Sequence, residues 1–298
     1  MNEILEFPKS ILIDTVSFCN LRCSMCFHKN MKRKKRFMSW DLYTKIIDEI
    51  AQIDKNTRVW EVFFGDPFVR ARKKPTIFDM IKYAKDCGLT DVVVNTNACL
   101  MGEENAKKII KSGLDEIYIG IDAFNDSTYR KVRVGGDYQQ TVNNVLRLLE
   151  LKKLLNVDHP KVFVQFVEMI DNKDQKEDFI NFWTNAGAIA KIRPMISWAG
   201  KIETTSQRTS SIIDERFACG WALNTLSIID TGDVVTCAVD LDGDHSFGNV
   251  YEKSIKEIWD TTVKEFREKH LNHKWDELHD LCKNCMDWQG CKRDLIET

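Results

Sequence analysis

The chain has 298 residues, ten cysteines, and 43 Lys and Arg against 45 Asp and Glu. That length accommodates one barrel-sized domain with an appendage, or two domains, and the even charge removes any global electrostatic case for nucleic acid or an anionic membrane. No apolar run approaches a membrane span, and Met1-Asn2-Glu3-Ile4-Leu5-Glu6 is acidic where a signal peptide is basic, so the protein is expected to be cytoplasmic.

An apolar run at 11–16 reads as a first strand and leads into Cys19-Asn20-Leu21-Arg22-Cys23-Ser24-Met25-Cys26, three cysteines at C-x3-C-x2-C. A basic run at 29–36 follows, read as a solvated loop or as a docking patch for an acidic partner. Ser39 then caps a predicted helix over 40–51, whose Leu42, Ile46, Ile47 and Ile50 form one stripe. Further strand and helix pairs are predicted at 58–64 with 77–87, 91–97 with 103–112, 116–122 with 138–153, and 161–168 with 176–186, and a sixth strand at 188–194. Strands alternating with helices predict parallel βαβ units, with the chemistry at the carboxyl ends of the strands. The cysteine loop, Gly65-Asp66, Asn95, Asn97, Asp122 and Glu168 all fall there. Six units are two short of a closed eight-stranded barrel, so the expected fold is α/β, an open partial (β/α)6 barrel.

The alternation stops near 197, where a Ser/Thr-rich connection begins. Leu226 to Ile229 and Val234 to Thr236 flank Asp230-Thr231-Gly232-Asp233, a hairpin signal, and one helix is predicted over 254–270. The expected division is therefore 1–197 for the barrel and 198–298 for a small α+β unit.

Eight of the ten cysteines are grouped: Cys19, Cys23 and Cys26, then Cys219, Cys237, Cys282, Cys285 and Cys291. In a reducing compartment clustered thiols indicate a metal, and thiolates select zinc or iron–sulfur. Three thiols are one short of a tetrahedral zinc site or an ordinary [4Fe–4S] site. Either His28 completes a zinc knob, or a cubane is held with one iron left open. Cys87 reads as a small buried hydrophobe. Cys99, beside the mouth, is either structural or a hydrogen-atom donor, and Trp198, Trp221 and Trp288 near the junction are read as packing or sugar-stacking residues.

C-x3-C-x2-C closing a first strand, Phe64-Gly65-Asp66-Pro67 closing the second, and six βα units together resemble the radical SAM superfamily over roughly residues 10–195. The resemblance implies a [4Fe–4S] cluster on Cys19, Cys23 and Cys26 whose open iron chelates S-adenosylmethionine (SAM). Reductive cleavage then gives a 5′-deoxyadenosyl radical that abstracts a substrate hydrogen. Phe64, Gly65, Asp66 and Pro67 look like the family's GGEP loop, with Phe for Gly and Asp for Glu. Met25 matches the position near adenine, and Asn97, Asp122, Arg133 and Gln165 resemble ribose- or carboxylate-contacting positions.

Cys219, Gly232-x4-Cys237 and Cys282-x2-Cys285 are similar to the SPASM and twitch subfamilies and imply one auxiliary [4Fe–4S] cluster, with Cys291 surplus. A zinc ribbon is the alternative. The pattern as a whole resembles twitch-type cyclitol dehydrogenases, which implies oxidation of a sugar or cyclitol carbinol to a ketone. The alternatives are an epimerase or cross-linking enzyme on a sugar or ribosomal peptide, and a non-catalytic iron–sulfur or zinc protein. Candidate proton or hydrogen carriers are Glu168, Arg193, Asp122 and Cys99. A flavodoxin- or ferredoxin-type donor and a monomer are expected.

Overall fold

The computed structural model describes residues 5–202 and 215–290. One nine-stranded sheet runs through it in the order β6-β5-β4-β3-β2-β1-β7-β8-β9. Its first six strands are β1 (Ser10–Ile13), β2 (Arg58–Trp60), β3 (Val92–Thr96), β4 (Glu116–Gly120), β5 (Lys161–Glu168) and β6 (Ile189–Pro194). All neighbours among them are parallel. Together with α1 (Trp40–Ile53), α2 (Ile77–Asp86), α3 (Glu103–Ser112), α5 (Tyr138–Leu155) and α6 (Lys176–Ala186), they form the expected α/β partial barrel, whose sheet does not close.

The helices form where caps and apolar stripes coincide. The Ser39 hydroxyl accepts the Leu42 N–H at 3.2 Å, and Leu42, Tyr43, Ile46, Ile47 and Ile50 of α1 are buried. Thr76 and Asp79 cap each other at the start of α2. One short helix, α4 (Asp126–Val132), was not legible from periodicity; the Asn125 carboxamide caps it by accepting the Thr128 N–H at 2.9 Å.

The C-terminal residues join the same sheet. After α7 (Gly220–Asn224), strand β7 (Thr225–Ile228) pairs in parallel with β1, from Ser10 opposite Thr225 to Ile13 opposite Ile228. The hairpin predicted from Asp230-Thr231-Gly232-Asp233 forms between β7 and β8 (Asp233–Val235), and β9 (Ser246–Asn249) extends it. Leu226 and Ile228 are buried in the barrel's own core, so this hairpin is packed as barrel rather than hung beside it. The single predicted helix over 254–270 is two, α8 (Ile255–Asp260) and α9 (Thr262–Leu271), broken at Thr261, whose ψ of −95° is not helical. A last short helix, α10 (Asp280–Lys283), carries Cys282.

Candidate active site

The cysteine loop is fixed by backbone contacts to its neighbours. Arg22 and Ser24 donate their N–H groups to the carbonyls of Val134 and Val132 at 2.9 and 3.0 Å, which seats the loop on the end of α4. From the other side comes the Gly65-Asp66-Pro67 turn. A Cβ on Gly65 would stand 2.1 Å from the Val16 carbonyl oxygen and 2.5 Å from that of Phe18, an approach that only glycine permits. The Asp66 N–H donates to the same Phe18 carbonyl at 2.9 Å.

The Asp66 side chain is used differently from the GGEP expectation. It is 1% exposed; one carboxylate oxygen accepts the Phe68 N–H at 3.0 Å, and the other accepts the Thr96 hydroxyl and the Asn97 N–H, both at 2.8 Å. Burial raises its pKa despite these donors. Asp66 therefore ties the end of β2 to the end of β3, and Pro67 opens a short 3-10 turn behind it. Asn97 is likewise engaged: its amide donates to the Asn20 carboxamide at 2.9 Å and lies 3.9 Å from Cys19 Sγ, while its oxygen accepts the Cys99 N–H at 3.0 Å.

On the far side of the loop stands a buried cation. Arg133 pairs with Asp122 at 2.5 Å and reaches Cys23 Sγ at 3.6 Å. Burial opposes its charge, but Asp122 and Cys23 hold the guanidinium above its ordinary range. Gly120 makes the space: a Cβ there would stand 1.9 Å from Arg133 Nη2. Asp122, 0% exposed and at φ 59°, also accepts the Val167 N–H at 2.7 Å, and Gln165 sits opposite Gly120 in the ladder. Cysteine loop, arginine, aspartate and glutamine thus share one end of the sheet.

Burial pushes the Cys19 thiol up to about 12 and Cys26 to about 11, and raises Cys23. Each of Cys19 and Cys26 is further raised by the charge of Cys23, so the three thiols feel one another. A metal here must displace protons from one buried and two half-buried thiols, and the Arg133 cation next to Cys23 offsets the thiolate charge that results. Among the described residues no three His, Cys, Asp or Glu side chains are drawn to metal-ligating spacing, so the thiols are neighbours rather than a closed cage. The donor set, three unbridged thiols flanked by an arginine and an asparagine amide, fits an iron–sulfur cluster. His28, the alternative zinc ligand, is turned away to the Ser17 carbonyl, 2.8 Å from Nε2.

Other expected residues lie at different depths. Met25 is buried and its carbonyl accepts the Trp198 indole N–H at 2.8 Å. Phe64 packs on Ile229, Val235 and Leu241. The Cys99 thiol is buried against the hydroxyls of Thr141 at 3.3 Å and Tyr129 at 3.5 Å, in the core. Glu168 ends β5, paired with Lys176 at 2.8 Å, and Arg193 lies on the neighbouring β6, opposite Val167.

The second thiol group also assembles. Cys219 precedes α7, Cys237 follows β8, Cys282 sits in α10 and Cys285 just beyond it. Burial drives Cys237 far above its ordinary range, helped by the charges of Cys282, Cys285 and Cys219, and pushes Cys285 up to about 12. Four half-buried thiols that feel one another's charge fit a cluster or a zinc ion equally on donor chemistry. Cys291 lies outside the described residues.

Sequence reasoning missed one element of this end of the sheet. Arg33, inside the basic run, is not solvated: it pairs with Asp14 at the end of β1 and with Asp230 at the end of β7, at 2.8 Å for the latter, and donates to the Leu241 carbonyl at 2.9 Å. Burial raises Asp14 to about 6 against the pull of Arg33. A charge run averages over its members, and nothing in it marks one as internal. Lys29, Lys32, Lys34 and Arg36 are exposed.

An open parallel barrel with three thiols beyond its first strand, and four more in a C-terminal extension, is the arrangement of an α/β protein that binds metal or iron–sulfur at two places. The radical SAM superfamily model matches residues 13–161, half of the chain, and an iron–sulfur cluster-binding (SPASM) model matches 219–286, spanning Cys219 to Cys285. The chain belongs to the radical SAM superfamily and is an enzyme of the SPASM-bearing kind, with a [4Fe–4S] cluster, SAM and auxiliary iron–sulfur as its cofactors. It is 24% identical to the tungsten-containing aldehyde ferredoxin oxidoreductase cofactor-modifying protein of Pyrococcus furiosus, over 97% of this chain and 90% of that one. It is 27% identical to a probable GTP 3′,8-cyclase of Methanococcus maripaludis over 64% of this chain, and spans 58% of that protein. Its fold matches BtrN in complex with AdoMet and 2-DOIA at a TM-score of 0.66 and 16% identity, covering 96% of this chain and 94% of that one. It also matches Streptococcus suis SuiB bound to the precursor peptide SuiA at 0.71 and 15%, covering 99% of this chain and 74% of that one. Among the described residues no helix is long and apolar enough to cross a membrane.

Proposed function

We propose that this enzyme oxidises a carbinol carbon of a sugar or cyclitol to a ketone. The single observation that carries the reading is the two-way coverage with BtrN, whose structure holds AdoMet with 2-DOIA; the likeness to peptide-bound SuiB leaves a quarter of that protein unmatched. When bound, the cluster and SAM supply the 5′-deoxyadenosyl radical that removes the substrate hydrogen.

The chain's own residues serve that chemistry as follows. Cys19, Cys23 and Cys26 hold the SAM-binding cluster. Asn97 and Arg133 stand over two of those sulfurs, and the Arg133 cation, buttressed by Asp122, is the group we assign to the SAM carboxylate. Met25, Phe64, Gly65 and Pro67 shape the rest of that pocket, and Asp66 positions the loop. Gln165 lines the same end of the barrel. Glu168, oriented by Lys176 at the mouth, is the proposed base, since a base must come within hydrogen-bond reach of the hydroxyl proton. We assign no transfer role to Cys99. Residues 1–197 carry this chemistry. In residues 198–298, Cys219, Cys237, Cys282 and Cys285 would hold one auxiliary cluster, which would supply an acceptor for the second electron. The exposed lysines of 29–36 suit a flavodoxin- or ferredoxin-type donor to a monomeric enzyme.

The test is anaerobic turnover with SAM, dithionite and a panel of aminocyclitols and sugars in deuterated water. A ketone free of solvent deuterium is expected. An alcohol product that has gained solvent deuterium makes the enzyme an epimerase and removes the dehydrogenase reading.

A further inference from the structure

The concave face of the barrel carries two cations of β6, Lys191 and Arg193, that the chemistry above leaves unused. Ile117, Ile119, Val162, Val164 and Phe166 point into the core under the helices, so alternation turns Tyr118, Gly120, Phe163 and Gln165 to the other, concave face. The ladder puts Lys191 of β6 opposite Gln165, and Arg193 two residues on shares its face. Lys191 Nζ lies 5.2 Å from the Tyr118 ring centroid, and Tyr118 stacks on Phe163 at 4.5 Å and 5°, confirming that side. We propose that Gln165, Lys191 and Arg193 form an oxyanion-recognition wall, and that the substrate therefore carries a phosphate or carboxylate group. This rests on the reading that a substrate occupies the barrel beside SAM.

Three observations support the wall. The Gln165 carboxamide nitrogen is buried without an acceptor, in a residue 6% exposed, and a buried donor left unmade is costly unless something arrives to accept from it. Burial, then the cations Arg193 and Arg58, press Lys191 below its ordinary range, a cost that an incoming anion relieves. Lys191 and Arg193 lie two residues apart on β6 with Gln165 opposite Lys191, so three donors share one face of two adjacent strands. Donors on adjacent strands are held more firmly than donors on a loop, which suits recognition that must fix a carbon for abstraction. Inward-pointing cations on β6 could instead only guard a sheet edge against pairing with another chain. The two roles part in a binding experiment.

The probe is inorganic phosphate, titrated calorimetrically into the anaerobic, cluster-loaded enzyme, with glucose 6-phosphate, glucuronate and glucose in parallel. Phosphate and at least one charged sugar should bind, glucose about tenfold more weakly or not at all; the sugar phosphate and sugar acid arms decide which oxyanion is preferred. Arg193→Gln and Lys191→Gln should each weaken anion binding about tenfold or more, as loss of a charge-assisted hydrogen bond does, and Arg193→Lys should recover part of it. Iron content certifies that each variant has folded. No anion binding by the wild-type enzyme, or unchanged binding in both glutamine variants with increased self-association, overturns the proposal and leaves edge protection. Release of 5′-deoxyadenosine by the wild-type enzyme is scored separately: release without anion binding sinks only the wall, and anion binding without release sinks only the radical reading.

Discussion

Gly120→Ala tests the seat of Arg133, on which the proposed SAM pocket depends. The added methyl would stand 1.9 Å from Nη2, 2.9 Å from Cζ and 3.2 Å from Nη1 of the guanidinium. Arg133 is a flexible chain and can withdraw, but withdrawal breaks its 2.5 Å pair with Asp122, whose side chain is 0% exposed. Removing one member of a buried pair costs roughly 3–5 kcal/mol. Asp122 keeps the Val167 N–H as a donor, which argues for the lower end, about 3 kcal/mol. For a chain of this size that corresponds to a fall in Tm of roughly 5–10 °C. Thermal denaturation and SAM binding by the reconstituted protein should fall together. A double-mutant cycle isolates the cause: in an Arg133→Ala background the methyl meets nothing of the guanidinium, so Gly120→Ala should cost far less there. Equal costs in both backgrounds would refute the steric account, and a Gly120→Ala protein with unchanged Tm would refute it outright.

Other consequences are as direct. Arg33→Met leaves Asp14 and Asp230, 0% and 1% exposed, without their cation, though Asp230 keeps the Ser17 hydroxyl, and should cost about 3 kcal/mol in urea unfolding; a change under about 1 kcal/mol would return Arg33 to the solvated loop read from sequence. His270 has both ring nitrogens unpartnered in a site 1% exposed, and burial, then Arg216 and His279, lower it to about 4. A folded value below the unfolded one means that its contribution is complete above about 6.5 and is lost as pH falls towards 4, about 3 kcal/mol in all. The stability difference between wild type and His270→Phe should therefore change by about that amount from pH 6.5 to 4; parallel curves would contradict it. Cys219→Ala with Cys237→Ala should lower iron by about half, and undiminished iron would remove the auxiliary cluster.

The barrel was legible because its units carry local signals: Ser39 and an apolar stripe at α1, and apolar strands alternating with helices as far as β6. Docking of β7 on β1 was not, since pairing between residues over two hundred positions apart leaves no local pattern. At the site, cysteine spacing and the Gly65-Asp66-Pro67 turn were readable because only certain residue types do that chemistry. The use of Asp66 as a clamp on Thr96 and Asn97 was not, because a carboxylate that binds a ligand and one that caps a turn look alike in sequence. Gly120 was invisible for a related reason: its role is the volume that Arg133 fills, thirteen positions away.

The most direct test of the account is reductive cleavage of SAM. Anaerobically reconstituted enzyme, given SAM and dithionite, should release 5′-deoxyadenosine and methionine, and replacing Cys19, Cys23 and Cys26 by Ala should abolish both. Intact SAM in the presence of a fully loaded, reduced wild-type enzyme would contradict it.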